Sequence, residues 1–352
     1  MLVFLVFLAY LSSVQPLDNG LARKPPMGWM SWGYYMCGVD CKNNTQKCLD
    51  EKLILSVADK FYTEGYQEAG FEYIIIDDCW SEKKRDKYGR LIPDRERFPH
   101  GMKYIADYIH NLGLKFGMYT NIADITCMGY PGSKGHFDID AKMFTSWNID
   151  YLKVDGCFVS EDYLNRAYIK LGAHLNATNR PILYSCSWPY YIEFIHHKKL
   201  IFGTGSLTES QSRVHIAVYA MLASPLLLSC DMNKMTDYEK ELLLNLDLIA
   251  IAQDELGIMA RPYKLKDHIT LWVKPHLPRK GNIYHSVSFA LVNLNDKMHS
   301  ISFTPGQYGL NSTDYTVMDI FSQMYFKNIT STESLTVNIP AEDVILYTLF
   351  PL

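Results

Sequence analysis

Several apolar, strand-like runs of this chain end in residues that can do chemistry: Trp32 at the end of PMGWMSW, Asp77 and Asp78 in IDDCW, and Tyr119 in KFGMYT. Lys153 and Asp155 in KVDG, Ser187 and Trp188 after ILYSC, and Asp231 after PLLLSC complete the set. Carboxylates, aromatic rings and one ammonium on a shared rim suit a small polar molecule with apolar faces, and a sugar ring is such an object. Cleaving a glycosidic bond takes two carboxylates, one attacking the anomeric carbon and the other protonating the leaving oxygen. Asp155 is the nucleophile candidate. Lys153 lies two residues earlier, so it points to the same side of a strand and helps to keep a neighbouring carboxylate ionised. Two blander readings stand beside this one: a plain ion pair at the mouth of the fold, or Asp155 as a turn former before Gly156. Any single aspartate at a strand end is as readily the start of a solvated loop, but several strands ending this way favour a site.

The elements that must hold these residues form a repeating pattern. Runs centred near 76, 118, 153 and 184 lie 42, 35 and 31 residues apart, room for a crossover helix each time. Helical periodicity fills the intervals, as in Ile105, Tyr108, Ile109 and Leu112. Continuous apolar strands of this kind are buried on both faces, and strand–helix repetition predicts a (β/α)8 barrel of the TIM type. KLIFGT is centred near 202, only 18 residues beyond its predecessor, too close for a full crossover. The count reaches six good strands and one doubtful one, where closure needs eight, so the predicted barrel is incomplete. From Arg261 the pattern becomes short alternating runs punctuated by Gly, Pro and Asn, which predicts an antiparallel β-sandwich. The expected organisation is a leader over 1–16, the barrel over 17–260 and the β domain over 261–352.

Composition bounds the function. Of 352 residues, 48% are hydrophobic and 20% charged, enough apolar content for large cores. Lys and Arg number 34 against 38 Asp and Glu, without long runs of one sign, which excludes an electrostatic footprint for nucleic acid. An apolar core from Leu2 to Leu11, followed by small and polar residues, reads as a secretory signal peptide; it is too short to span a membrane. Sequons stand at Asn43, Asn176, Asn311 and Asn328. In that oxidising route the eight cysteines read as disulfide partners. Zinc is the competing reading of the cluster Cys37, Cys41 and Cys48, but no histidine is interleaved with it. Glu193, His196 and His197 have metal-like types without a further ligand set, and read as an exposed helix end. The Met and aromatic residues of HIAVYAML read as core.

Together LDNGLARKPPMGWMSW, IDDCW, GRLIPDRERFPHGMKYIADYIHNLGLKFGMY, YLKVDGC, YSCSWP and IAIAQDELG closely resemble the α-galactosidases and α-N-acetylgalactosaminidases of glycoside hydrolase family 27. The resemblance covers most of the chain from Leu17 to about Arg261, and the β domain more loosely. It implies a retaining hydrolase of terminal α-linked galactose or N-acetylgalactosamine, without metal or organic cofactor, often a homodimer, in lysosomes or outside the cell. By the same resemblance Asp155 is the nucleophile, Asp77 and Asp78 bind sugar hydroxyls, and Trp32, Tyr119 and Lys153 contact the sugar. It also implies disulfides Cys37–Cys79, Cys41–Cys48 and Cys127–Cys157. Specificity at the sugar 2-position is implied at Ser187, Tyr190 and Tyr191: Ser187 resembles the N-acetylgalactosaminidase pattern, whereas Tyr190 stands where that pattern has a small residue.

One departure is large. After SWPYY the family continues through two barrel strands, a cysteine that pairs with the one at Cys186, and the Asp acid/base, whereas here IEFIHHK leads directly into LIFGTGSLTES. No residue matches the acid/base motif. Cys186 thereby loses its partner, and Cys230, also at a strand end, is the candidate for a replacement bridge. The alternative expectation is a catalytically impaired isoform that binds galactose-type sugars or pairs with another chain.

Overall fold

The computed structural model describes residues 19–193, 202, 207–280, 284–310 and 314–352. The leader, the sequon at Asn311, His196, His197 and most of KLIFGT lie outside the described residues.

Among the described residues six parallel strands alternate with helices. Strand β1 (Met27–Met30) leads through helix α1 (Trp32–Tyr35) and α2 (Glu51–Thr63) to β2 (Tyr73–Ile75), and α3 (Gly101–Asn111) connects that strand to β3 (Lys115–Asn121). Helix α4 (Phe137–Ser146) precedes β4 (Tyr151–Asp155), and α5 (Glu161–Asn176) precedes β5 (Leu183–Cys186). Then come α6 (Trp188–Glu193), α7 (Glu209–Met221), β6 (Leu226–Leu228), α8 (Asp237–Leu243) and α9 (Leu246–Ala252). The helix starts follow the sequence: Asp50 caps α2 by accepting from the Leu53 amide at 2.8 Å, and Thr208 with Gln211 forms a capping box on α7.

The strand order is β5-β4-β3-β2-β1-β6. Among the described residues it is that of a (β/α) barrel opened between β5 and β6, and these six strands are those read from the sequence. The sheet curls around an interior whose lower layer is apolar: Tyr73, Ile75, Tyr151 and Leu183 pack there with Met30 and Leu227. On β4 the alternation is strict. Leu152 and Val154 are fully buried on the helix-facing side, each such burial stabilising by roughly 1.5–3 kcal/mol. Tyr151, Lys153 and Asp155 therefore line the inside.

The C-terminal strands are β7 (Arg261–Lys264), β8 (Thr270–Lys280), β9 (Tyr284–Asn293), β10 (His299–Phe303), β11 (Tyr315–Asp319), β12 (Met324–Ile329), β13 (Leu335–Ile339) and β14 (Asp343–Pro351). They form a six-stranded antiparallel sheet, β12-β11-β14-β9-β8-β7, and a two-stranded one, β10-β13. Leu271, Phe289 and Val317 of the first pack against Ile301, Val337 and Ile339 of the second. The sequence patterns missed β7 and β12, whose residues are almost all exposed, because such edge strands carry no alternation to read.

Both halves share a core: Ala290, Val292, Ile320 and Leu346 belong to the same buried cluster as the barrel helices. The seam is also polar. Arg213 on α7 makes two hydrogen bonds to Asp343, at 3.0 Å and 2.5 Å. Lys274, fully buried on β8, donates to the carbonyls of Ala220 at 3.0 Å and Ile251 at 2.5 Å, in the last turns of α7 and α9.

Cys37–Cys79, Cys41–Cys48 and Cys127–Cys157 are disulfides, with Cα separations of 5.4, 4.7 and 5.4 Å. The expected Cys186–Cys230 bridge does not form, and both thiols are free. The physical reason is topological. Cys186 ends one edge strand and Cys230 follows the other; Cys186 lies beside Tyr184, and Cys230 is buried against Met232 at 3.7 Å. Asn43, Asn176 and Asn328 are exposed.

Candidate active site

The site sits where the parallel strands end. Lys153, the middle residue of β4, donates from Nζ to Asp77 Oδ2 at 2.6 Å and lies 3.9 Å from Asp155 Oδ2. The ammonium also stands over the Tyr119 ring, 5.2 Å from its centroid. Burial pulls the Lys153 pKa down, but the charges of Asp77 and Asp155 more than offset this and raise it to about 12. The lysine is therefore a fixed cation across any physiological range, holding two carboxylates within reach of one ligand.

Asp155 keeps 15% of its side chain exposed, so it opens to solvent rather than lying sealed under apolar neighbours. Two phenols face it. Tyr119 and Tyr191 are both raised above the ordinary tyrosine value, by burial first and then by the Asp155 charge, and both hydrogen-bond Asp155. As neutral hydroxyls they serve Asp155 as hydrogen-bond donors and hold its carboxylate in place. The Cys127–Cys157 disulfide forms a wall here: Cys127 Sγ lies 3.5 Å from Asp155 Oδ2 and 3.3 Å from the Tyr119 hydroxyl, and Cys157 Sγ lies 3.1 Å from the Tyr191 hydroxyl. Gly156 makes this arrangement possible, because a Cβ there would stand 2.4 Å from Leu164 and 3.2 Å from the Tyr191 ring.

Asp77 and Asp78 are almost wholly buried. The Asp77 amide donates to Ser31 Oγ at 2.9 Å, anchoring the end of β2 to β1. Burial pushes Asp78 above the usual carboxylate range, while hydrogen bonds from Thr126 and from the Cys79 and Met128 amides pull part of the way back; the amide distances are 2.6 and 3.0 Å.

The remaining expected residues are more peripheral. Trp32 opens α1 just beyond β1 and is half-buried. Ser187 follows β5 with its amide on the Val154 carbonyl at 3.0 Å. Tyr190 is 49% exposed and meets Tyr191 edge-on at 5.2 Å. Asp231 is turned into its own loop, accepting from the Asn233 amide at 3.0 Å and from the Tyr35 hydroxyl. Sequence reasoning had no role for Ser31, Thr126 or the disulfide as a wall. Only the adjacency of Cys157 to KVDG pointed that way.

A parallel (β/α) sheet whose strand ends present a lysine-bridged pair of aspartates and a ring of tyrosines defines a barrel-type glycoside hydrolase. Comparison with known proteins agrees. The sequence model of the alpha galactosidase A family matches residues 24–200 and 193–254. Human alpha-N-acetylgalactosaminidase is 32% identical over an alignment covering 99% of this chain and 97% of that protein. Human alpha-galactosidase A is 35% identical over 76% of each. Among solved structures, alpha-galactosidase I from Mortierella vinacea superposes with a TM-score of 0.82 at 27% identity, covering 95% of this chain and 98% of the other. The chain belongs to glycoside hydrolase family 27.

The comparisons also bear on the short strand count. The family match comes in two pieces that meet at residues 193–200, between β5 and β6. The alignment with the human N-acetylgalactosaminidase runs to 405 positions against 352 residues, leaving at least 53 without a counterpart here.

Proposed function

We propose that the protein is a retaining exo-α-glycosidase acting on terminal α-linked N-acetylgalactosamine, with galactose as the poorer substrate, in glycolipids, glycoproteins or oligosaccharides. The observation that carries this is the partly exposed Asp155 carboxylate, fixed beside Lys153 and faced by two tyrosine hydroxyls. Its oxygen attacks the anomeric carbon, the glycosidic C–O bond breaks, and water then hydrolyses the glycosyl ester. Asp77 and Asp78, with Lys153, Tyr119 and Trp32, hold the sugar hydroxyls and ring. Ser187 supports N-acetylgalactosamine, because a small side chain leaves room for an acetamido group at the 2-position; Tyr190 and Tyr191 bound that side.

The leaving group governs turnover. Among the described residues Asp77 is the carboxylate that Lys153 ties to Asp155, and it is 1% exposed and held in a 2.6 Å ion pair, so it delivers no proton to an aglycone. General acid help is worth about 10²–10⁴ in rate. The protein therefore cleaves nitrophenyl glycosides, whose phenolate leaves without protonation, far better than alkyl glycosides. Three disulfides support folding in the secretory route, with a lysosomal or secreted destination. No described helix is long and apolar enough to cross a membrane. Assembly as a homodimer completes the proposal.

The test is incubation with 4-nitrophenyl α-N-acetylgalactosaminide and α-galactoside, with the anomer of the first product read by proton NMR. Release of the α-anomer that vanishes in Asp155→Asn is the expected result. A folded protein that cleaves neither refutes the reading.

A further inference from the structure

A second groove lies outside the barrel, on the long loop after β2 and the outer face of α4, and shares no residue with the active site. It encloses about 600 Å³, with Leu91, Met143 and Trp147 in its floor. Leu91 and Met143 are buried and Trp147 is half-buried, packed edge-on against Trp80 at 5.7 Å. Three cations rim it: Arg90, Arg95 and Lys142. Arg90 is held in place, its Nε 2.7 Å from Asp86 and its guanidinium 5.1 Å from the centre of the exposed Tyr88 ring. Arg95 and Lys142 are exposed and have no ion-pair partner among the described residues. The lining carries one acid, Asp86, against these three cations, in a chain whose formal net charge is −4.

We propose that this groove binds an anionic saccharide chain, its carboxylate or sulfate groups taken by Arg95 and Lys142 and a sugar face laid toward Trp147. The chemistry selects this occupant. Arginine and lysine recognise carboxylate and sulfate through charge-assisted hydrogen bonds, while an indole in a recessed floor offers an apolar face to a pyranose ring. A membrane surface fits less well, because Tyr88 is the one large apolar side chain of the lining that stands exposed, and a flat bilayer cannot follow the rest down. Arg95 and Lys142 stand at its rim and the apolar lining in its floor, so the groove takes a chain segment rather than a terminal residue, and because it shares no residue with the active site its occupancy is independent of hydrolysis at Asp155.

The experiment is calorimetric titration of the full chain with a chondroitin sulfate tetrasaccharide, its desulfated counterpart and a neutral N-acetylglucosamine tetrasaccharide. Both anionic chains, or the sulfated one alone, bind, which assigns carboxylate or sulfate as the recognised group; the neutral chain does not. Arg95→Ala with Lys142→Ala weakens binding about fivefold or more, the loss of two partly screened ion pairs. Arg166→Ala with Lys170→Ala, on the exposed face of α5, leaves it unchanged and controls for general charge. Asp155→Asn also binds as the parent does, so loss of activity and loss of this site are read separately. The proposal is overturned if no anionic chain binds, if the neutral chain binds equally, if the two double variants weaken binding alike, or if anionic phospholipid vesicles capture the protein through Arg95 and Lys142 while the saccharides do not.

Discussion

Replacing Lys274 by methionine tests how the two halves of the molecule are joined. The ammonium is fully buried and held by two helix-end carbonyls. Burial, partly opposed by the Asp254 charge, lowers its pKa from 10.5 to about 8. At pH 7 the lysine is protonated in both the folded and the unfolded chain, and folding bears the whole cost of burying the charge. Between about 8 and 10.5 the unfolded chain binds more protons than the folded one, so this group's contribution to stability rises with pH, and above 10.5 the cost is gone. At 1.36 kcal/mol per pH unit the interval is worth roughly 3 kcal/mol, most of it recovered between pH 7 and pH 10. Lys274→Met has no such term, but it leaves the Ala220 and Ile251 carbonyls without their donor, at about 1–3 kcal/mol each. The assay is urea unfolding of both proteins at pH 7, 8, 9 and 10, followed by tryptophan fluorescence. Taking the difference between the two cancels the groups common to both, and the parent should gain roughly 2–3 kcal/mol on the variant across the series. A difference that stays flat with pH refutes the reasoning, because Lys274 would then titrate alike folded and unfolded.

Further expectations concern the site and its frame. Asp155→Asn lowers the rate of nitrophenyl glycoside cleavage by at least about a thousandfold, since removing a nucleophile removes the covalent route; stopped-flow release of nitrophenolate measures it. Lys153→Met leaves Asp77 buried without its cation and lowers kcat/KM by about tenfold to a hundredfold, a loss of roughly 1.4–2.7 kcal/mol in transition-state stabilisation, read from initial rates on the same substrate. Arg213→Met leaves the buried Asp343 with donors from Ser210 and the Val344 amide but no counter-ion, and destabilises by about 1–3 kcal/mol, measured by chemical denaturation at pH 7; a loss under 1 kcal/mol would show that the pair is not needed there. Burial pushes the Cys186 thiol up to about 11, so it alkylates slowly in the native protein at pH 8 and quickly after unfolding. Mass mapping of non-reduced peptides should meanwhile return Cys37–Cys79, Cys41–Cys48 and Cys127–Cys157.

The chemistry of this chain lay close to its surface in sequence. Asp77 and Tyr119 follow apolar runs, Asp155 ends the strand that Lys153 interrupts, and strand alternation forces Lys153 and Asp155 to one side while Leu152 and Val154 go to the other. That local rule needs no knowledge of the rest of the molecule. The shortage of strands was equally local, because 18 residues between run centres hardly hold a crossover helix with both of its loops. The exposed edge strands β7 and β12 were invisible for the converse reason: with neither face buried, nothing imposes a period.

Other features depend on residues far apart in the chain and were fixed only by packing. Lys153 reaches Asp77 across 76 residues, and which carboxylate it grips is a matter of strand neighbours rather than spacing. Cys186 and Cys230 had matching chemistry and matching strand-end positions, yet they end at opposite edges of an opened sheet and stay apart. The Cys127–Cys157 wall against Asp155 and the buried Lys274 between two helix ends are likewise products of assembly. A sequence states what each residue can do and which way its side chain faces along its own element; distance between elements is set by how they stack, and binding and catalysis are acts of distance.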